Sequence, residues 1–93
     1  MSESPDEAAF IAALDRVAAA YPALKPLEAG LLAALDLRLP GDSRAFARTF
    51  AVEHALVLRA LAELEELGHI AVTARDERTQ RTRFTAVGAN QPL

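Results

Sequence analysis

The 93-residue sequence contains no cysteine and no tryptophan, and only 5% of its residues are aromatic. The absence of cysteine excludes disulfide bonds, a thiol nucleophile and cysteine metal ligands. No apolar run approaches the roughly 18 residues that span a bilayer, and the acidic start, residues 1–7, lacks the positive charge that leads a signal peptide. We therefore expect a soluble protein of the cytoplasm.

Residues that could carry out catalysis are also few. Only His54 and His69 could serve as the base of a nucleophilic triad, and neither lies in a supporting motif. No glycine-rich phosphate loop is present, and no spacing supplies the three or four ligands of a metal site. We interpret Glu63, Glu65 and Glu66 as a solvated helix face rather than an acid pair, and His69 as a half-buried packing residue. The sequence predicts a protein that is not an enzyme and uses no metal or cofactor.

The chain is long enough for one small domain, which we place at residues 1–93. Hydrophobic residues make up 52% of it, and many are alanines, which predicts thin helices packed closely together. The net charge of −3 is unevenly distributed. Residues 1–37 carry two basic against six acidic residues, a net charge of −4, whereas residues 38–93 carry eight arginines against seven acids, a net charge of +1. Four of these arginines lie between residues 75 and 83, so the basic charge is local.

Apolar spacing and helix stop signals predict two helices in the first half of the chain. The first begins at a capping box that starts at Ser4 and ends at residues 21–22, a Tyr-Pro pair. The second begins at Lys25-Pro26 and ends near Leu37. Its apolar stripe consists of Leu27, Leu31, Leu32 and Leu35.

Two further helices form a helix-turn-helix pattern. After a turn at residues 39–42, Asp42 or Ser43 caps a short third helix over residues 44–50. Residues 51–54 form the tight turn, and the fourth helix runs from about Glu53 to Leu67, with Gly68 as its stop. The predicted inward residues of these two helices are Phe46, Ala47, Phe50, Val57, Ala60, Leu61 and Leu64.

The alternation of residues 70–86 predicts a β-hairpin, because successive side chains of a strand point to opposite faces. The packed face would hold Ile70, Val72, Ala74, Thr82, Phe84 and Ala86. The other face would be cationic and would hold Thr73, Arg75, Arg81, Arg83 and Thr85. A solvated strand face would also explain this charge, but its position after a helix-turn-helix favours contact with DNA. The fold class we predict is mainly α with a small β-hairpin, a winged helix-turn-helix.

Residues 43–88 resemble the MarR type of bacterial winged-helix regulator. The wing of that family carries an Asp, an Arg two residues later, a hydrophobic-Thr pair eight and nine residues after the Asp, and a Gly at twelve. In this sequence these offsets fall on Asp76, Arg78, Phe84-Thr85 and Gly88. The preceding elements are similar at Val57, Leu61, Leu64-Glu65, Gly68-His69-Ile70, Leu31-Leu32 and Leu35.

The resemblance implies a DNA-binding transcriptional regulator in which Arg78 enters or borders the minor groove and Asp76 helps to fix the wing. The start of the fourth helix would face the major groove, although Ala55, Leu56 and Leu58 offer only apolar contact, such as to a thymine methyl. For His54, a polar contact to DNA and simple exposure both stay open. The full predicted set of DNA-contacting residues is Ser43, Arg44, His54, Ala55, Leu56, Leu58, Arg59, Arg75, Arg78, Arg81 and Arg83.

A second hypothesis is that the chain is a winged-helix module that binds another protein through the apolar face of the fourth helix. Leu56 and Leu58 flank the buried stripe of that helix, so at least one should be partly exposed, unless both simply widen the stripe. The regulators that the chain resembles dimerise through long terminal helices. A homodimer here would use another surface, and the main candidate is the first helix, through Phe10, Ile11, Leu14 and Val17.

Overall fold

The computed structural model describes residues 5–87, with side chains from residue 7 onward. Four helices precede two strands: α1 (Pro5–Ala20), α2 (Pro26–Asp36), α3 (Ser43–Phe50), α4 (His54–Glu66), β1 (Ile70–Arg75) and β2 (Thr82–Ala86). The protein is therefore mainly helical with a small antiparallel hairpin, as the sequence predicts. No helix in this part of the chain is long and apolar enough to cross a membrane.

Proline and capping residues set the limits of the first two helices. α1 ends directly before the predicted stop at residues 21–22, and the predicted cap at Ser4 lies outside the described residues. α2 begins at Pro26, because the fixed φ of proline suits the first helical turn. The carboxylate of Glu28 accepts a hydrogen bond from the backbone N–H of Lys25 at 3.0 Å, which closes the start of this helix.

Asp42 caps α3. Its Oδ1 accepts hydrogen bonds from the backbone N–H groups of Arg44 and Ala45, at 2.9 and 3.1 Å. Of the two predicted caps, Asp42 and Ser43, the structure therefore uses the first. The helix ends at Ala51, which adopts a left-handed φ of 56° and so turns the chain sharply into α4.

One apolar cluster joins α2, α3, α4 and both strands. Its buried members are Leu31, Ala34, Phe46, Val57, Ala60, Leu61, Leu64, Ile70 and Phe84. α1 reaches this cluster through Phe10, whose ring centroid lies 5.0 Å from that of Phe50, and Phe50 lies 4.5 Å from Phe46. The predicted inward faces of α3 and α4 are confirmed, since these residues pack in or against the core.

The hairpin follows Gly68, which ends α4 with a φ of 86°. Its first pairs match the prediction: Ile70 lies opposite Ala86, and Val72 lies opposite Phe84. Beyond Val72 the register shifts, because β1 contains one more residue than β2 before the next pair. Such a β-bulge changes which side chains of the strand face the core.

The bulge corrects two predictions. Ala74 lies opposite Arg83, and Arg75 lies opposite the buried Thr82. Directly opposed residues point to the same side of a sheet, so Ala74 is on the cationic face and Arg75 is on the packed side. The exposed Arg75 guanidinium reaches back to the carboxylate of Glu65 in α4, with Nη2 3.7 Å from Oε1. Simple alternation failed here because it assumes an unbroken register.

Residues 39–42, predicted only as a turn, also pair with the hairpin. Asp42 forms an isolated bridge with Arg83, and the N–H of Phe84 donates to the carbonyl oxygen of Gly41 at 2.8 Å. The two backbones are so close that a Cβ at Gly41 would overlap the carbonyl oxygen of Phe84. This pairing brings the N-terminus of α3 against β2.

Candidate nucleic-acid interface

Residues 76–81 connect the strands, and we call them the hairpin loop. Oδ1 of Asp76 accepts hydrogen bonds from the N–H groups of Arg78 and Thr79, at 2.9 and 3.3 Å. The backbone N–H of Asp76 donates a hydrogen bond to the carbonyl oxygen of Arg81 at 2.9 Å. The carbonyl oxygen of Asp76 accepts one from the N–H of Gln80 at 2.7 Å. Gln80 adopts a left-handed φ of 63°. Asp76 thus holds the shape of the loop and fixes the backbone from which Arg78 projects.

The hairpin loop is attached to the N-terminus of α3. Nε and Nη2 of Arg44 donate hydrogen bonds to the carbonyl oxygen of Thr79, at 3.2 and 2.7 Å. On the other side of the loop, Nε of Arg81 lies 3.6 Å from Oδ2 of Asp42. Two predicted DNA-contacting arginines, Arg44 and Arg81, therefore position the loop. Arg44 is exposed and keeps further N–H groups for another acceptor.

Ser43 joins α3, α4 and β2. Its Oγ accepts a hydrogen bond from the N–H of Thr82 at 2.9 Å and lies 2.7 Å from Nε2 of His54. Ser43 has no exposed surface, so the prediction that it contacts DNA is wrong. Its hydroxyl is engaged by groups 11 and 39 residues away in the chain, which local sequence does not reveal.

His54 begins α4 and is half-buried rather than freely exposed. Burial lowers the pKa of its imidazole, and the nearby Arg44 and Arg81 lower it further, whereas Asp42 opposes them. Because Ser43 Oγ already accepts the N–H of Thr82, its own O–H is free to donate to Nε2 of a neutral His54. The lowered pKa therefore favours an uncharged imidazole at neutral pH.

Three predicted arginines are exposed and have no carboxylate at salt-bridge distance within the described residues: Arg59, Arg78 and Arg83. Arg48 in the last turn of α3 has the same two properties but is not among the residues predicted from the sequence. Its spacing was the available signal, since it follows Arg44 by four residues and so lies on the same face of the helix. Arg75 differs from this group because it pairs with Glu65.

The start of α4 presents a largely apolar surface. Ala55 is exposed, Leu56 is 44% exposed, and Leu58 is half-buried. At least one of the two leucines is therefore open to solvent, as the helical spacing predicts. Arg59 is the exposed cation of this surface.

The acidic end of α4 corrects a prediction. Glu65 and Glu66 are exposed, as predicted, whereas Glu63 is half-buried and its carboxylate lies 3.2 Å from Nζ of Lys25. Glu28 is buried, and burial together with Glu63 raises its pKa, whereas the bonds from Glu28 and Lys25 lower the pKa of Glu63. These opposite shifts favour the protonated form at Glu28 rather than at Glu63, in a pair of acids that links α2 to α4. Glu28 is not among the residues predicted from the sequence.

A cleft of about 400 Å³ lies at the other end of the protein, between α1, α2 and the base of the hairpin. His69 lines it, half-buried as predicted, with its ring edge-on to Tyr21 at a centroid distance of 4.6 Å. Arg16 and Asp36 form an exposed ion pair of 2.7 Å at its border.

Among residues 5–87, no three His, Asp or Glu side chains lie together in a way that could hold a metal ion. The family motif quoted above ends at Gly88, which lies outside the described residues. Comparisons with protein-family models, with curated proteins and with solved structures found no match to this chain.

Proposed function

We propose that the chain is a DNA-binding transcriptional regulator built as a winged helix-turn-helix. α3 and α4 would be the helix-turn-helix, and the hairpin would be the wing. The order of the elements supports this proposal, as does the short pairing of Gly41 and Asp42 with β2. A regulator of this kind acts in the cytoplasm by occupying DNA, without catalysis and without a cofactor.

One observation carries the proposal: the hairpin loop is fastened to the start of α3 by Arg44 and Thr79, and two exposed arginines of the hairpin, Arg78 in the loop and Arg83 in β2, have no acidic partner in the described structure. Arg78 and Arg83 are free to bind phosphate oxygens. A hydrogen bond between His54 and Ser43 joins the start of α4 to the start of α3. The hairpin loop and the N-terminal ends of both helices are therefore connected. Localised positive charge of this kind is typical of a phosphate-binding surface.

The composition of α4 defines how such binding would work. Its first half carries Arg59, Ala55 and Leu56 toward solvent, whereas its last turns carry glutamates that DNA phosphates would repel. We therefore expect α4 to enter the major groove by its N-terminal end. Base reading by Ala55 and Leu56 is restricted to apolar contacts such as thymine methyls, so phosphate contacts should supply most of the affinity.

The proposal also includes a homodimer through α1, because one helix and one wing cover only half of a symmetric site. Ile11 is 46% exposed, and Phe10, Leu14 and Val17 are half-buried. Ile11→Glu is the sharpest probe, since Phe10 packs on Phe50 and its replacement would disturb the core. Light scattering should find a dimer that this change converts to a monomer. A monomeric wild-type protein at micromolar concentration would contradict the dimer.

The experiment that tests DNA binding is fluorescence anisotropy with a labelled duplex over a series of salt concentrations. Because each neutralised phosphate contributes about 0.9 to the slope of log affinity against log salt, we expect a steep decrease in affinity. Failure to bind the duplex at low salt would contradict the proposal.

A second function is favoured by the exposure of Leu56, which could bind a protein partner. Leu56→Ser separates the two functions because the side chain is partly exposed and its loss should leave the thermal midpoint nearly unchanged. A contact to thymine methyls would lose about 1–3 kcal/mol at A·T positions only. If Leu56→Ser leaves the duplex affinity unchanged, Leu56 makes no contact with thymine methyls.

A further inference from the structure

A small cleft of about 270 Å³ lies between α3 and the start of α4. It is lined by Arg44, Ala47, Arg48, Val52 and His54. Three of these five side chains are basic groups, and no acidic residue is among them. The cleft therefore combines basic side chains with two apolar residues, Ala47 and Val52.

The three basic groups differ in how they are held. Arg44 is oriented by its two hydrogen bonds to Thr79, and His54 is oriented by its bond to Ser43. Arg48 has no carboxylate partner in the described part of the chain. The cleft is therefore lined by two oriented side chains, Arg44 and His54, and by Arg48, whose charge no carboxylate balances in the described part of the chain. An anion bound in the cleft would supply the missing negative charge.

We propose that this cleft binds one phosphate group of the DNA backbone, with Arg48 as its principal ligand and with His54 and Arg44 at its sides. This inference rests on the proposed function and adds a phosphate contact that the hairpin loop does not supply. Arginine suits the role because its planar fork of N–H groups matches two phosphate oxygens. The contact would fix the register of α4 in the groove while reading no base.

His54 provides a built-in sensor of occupancy. The charged groups around it are Arg44 and Arg81, which disfavour its protonated form, and Asp42, which favours it, and Arg48 lines the same cleft. A phosphate anion placed among them would favour the imidazolium, so its binding should raise the pKa of His54. His69 lies in the separate cleft beside Tyr21 and serves as an internal control.

The test is a pH titration of the histidine Cε1 protons by NMR, with the untagged protein alone, with inorganic phosphate and with a short duplex. The two signals can be assigned with a His69→Gln variant. We expect the duplex to raise the pKa of His54 and Arg48→Ala to abolish the rise. Arg48→Lys should restore part of it because the positive charge is retained.

Each outcome is decisive for the cleft independently of the hairpin loop. If the duplex binds but the His54 titration is the same as in free protein, the inference is wrong while the proposed function stands. If inorganic phosphate raises the pKa and the duplex does not, the site binds a free anion and a backbone phosphate is ruled out. If neither has an effect, the cleft is not a phosphate site.

The salt series gives a second, independent readout. Arg48→Ala should reduce the slope of log affinity against log salt by about one unit, because one phosphate contact is lost. Arg16→Ala is the matched control, since it removes the same charge from an exposed ion pair beside the other cleft. Equal slopes for the two variants would overturn the assignment of Arg48.

Discussion

The guanidinium of Arg44 donates two hydrogen bonds to the carbonyl oxygen of Thr79, at 3.2 and 2.7 Å, and so attaches the hairpin loop to the start of α3. The two residues are 35 positions apart. Because the loop carries Arg78, the contact determines where that side chain lies relative to the helices.

Arg44→Gln should therefore loosen the loop with little loss of global stability, because both bonds are exposed. We expect faster hydrogen exchange at the loop amides, residues 77–81, and weaker duplex binding. Exchange at the core amides of Leu61 and Leu64 serves as the control. Unchanged exchange in the loop would show that Arg44 does not position it.

Gly41 should be intolerant of any side chain. A Cβ at this position would overlap the carbonyl oxygen of Phe84, which is backbone and can move only by separating residues 41–42 from β2. We expect Gly41→Ala to cost about 1–3 kcal/mol in the free energy of unfolding measured with urea. Gly68→Ala is the comparison, because Gly68 has open space around it and a φ of 86°, so only backbone strain of about 1–2 kcal/mol is expected there. Full stability of Gly41→Ala would contradict the close backbone approach.

The burial of His54 beside Arg44 predicts a pH dependence of stability. The pKa of His54 is lowered in the folded protein, so the unfolded chain takes up the proton first as pH falls below about 6.5. The free energy of unfolding should therefore fall as pH decreases from about 6.5 toward the folded pKa. His54→Gln should lack this part of the pH profile in urea titrations. Identical wild-type and variant profiles would contradict the neutral imidazole.

Glu28→Gln tests the acid pair of Glu28 and Glu63. The pKa of Glu28 is raised in the folded protein, so the unfolded chain loses its proton first as pH rises above 4.5, and this ionisation destabilises the wild-type fold. Glutamine keeps a donor for Glu63 and an acceptor for Lys25 without any charge. The variant should thus gain stability over the wild type as pH rises from 4.5. A difference that stays constant with pH would contradict the raised pKa of Glu28.

The helices could be predicted from the sequence because their signals are local. Helices begin or end at residues 21–22, Pro26 and Gly68 because of the backbone properties of these residues themselves. The apolar spacing of α4 identifies its buried face. The hairpin could be predicted for the same reason, up to Val72.

The parts that could not be predicted depend on distant partners. The bulge after Val72 follows from the pairing of two strands, and the contact of Gly41 with Phe84 joins segments 43 positions apart. The burial of Ser43 could not be predicted because it depends on the hydrogen bond from the N–H of Thr82, which lies 39 residues away in the sequence. Arg44, Arg81 and Ser43 were predicted to contact DNA, whereas in the structure they make contacts that connect the hairpin to the N-terminus of α3.

The most direct measurement compares the salt dependence of duplex binding for wild type and for the double variant Arg78→Ala/Arg83→Ala, with Arg16→Ala as the control. Both arginines are exposed without an acidic partner in the described structure, so their removal should leave the thermal midpoint unchanged. We predict a slope lower by about two units and weaker binding for the double variant, because two phosphate contacts are lost, and an unchanged slope for Arg16→Ala. A folded double variant with wild-type affinity and slope would contradict the assignment of the hairpin arginines to DNA.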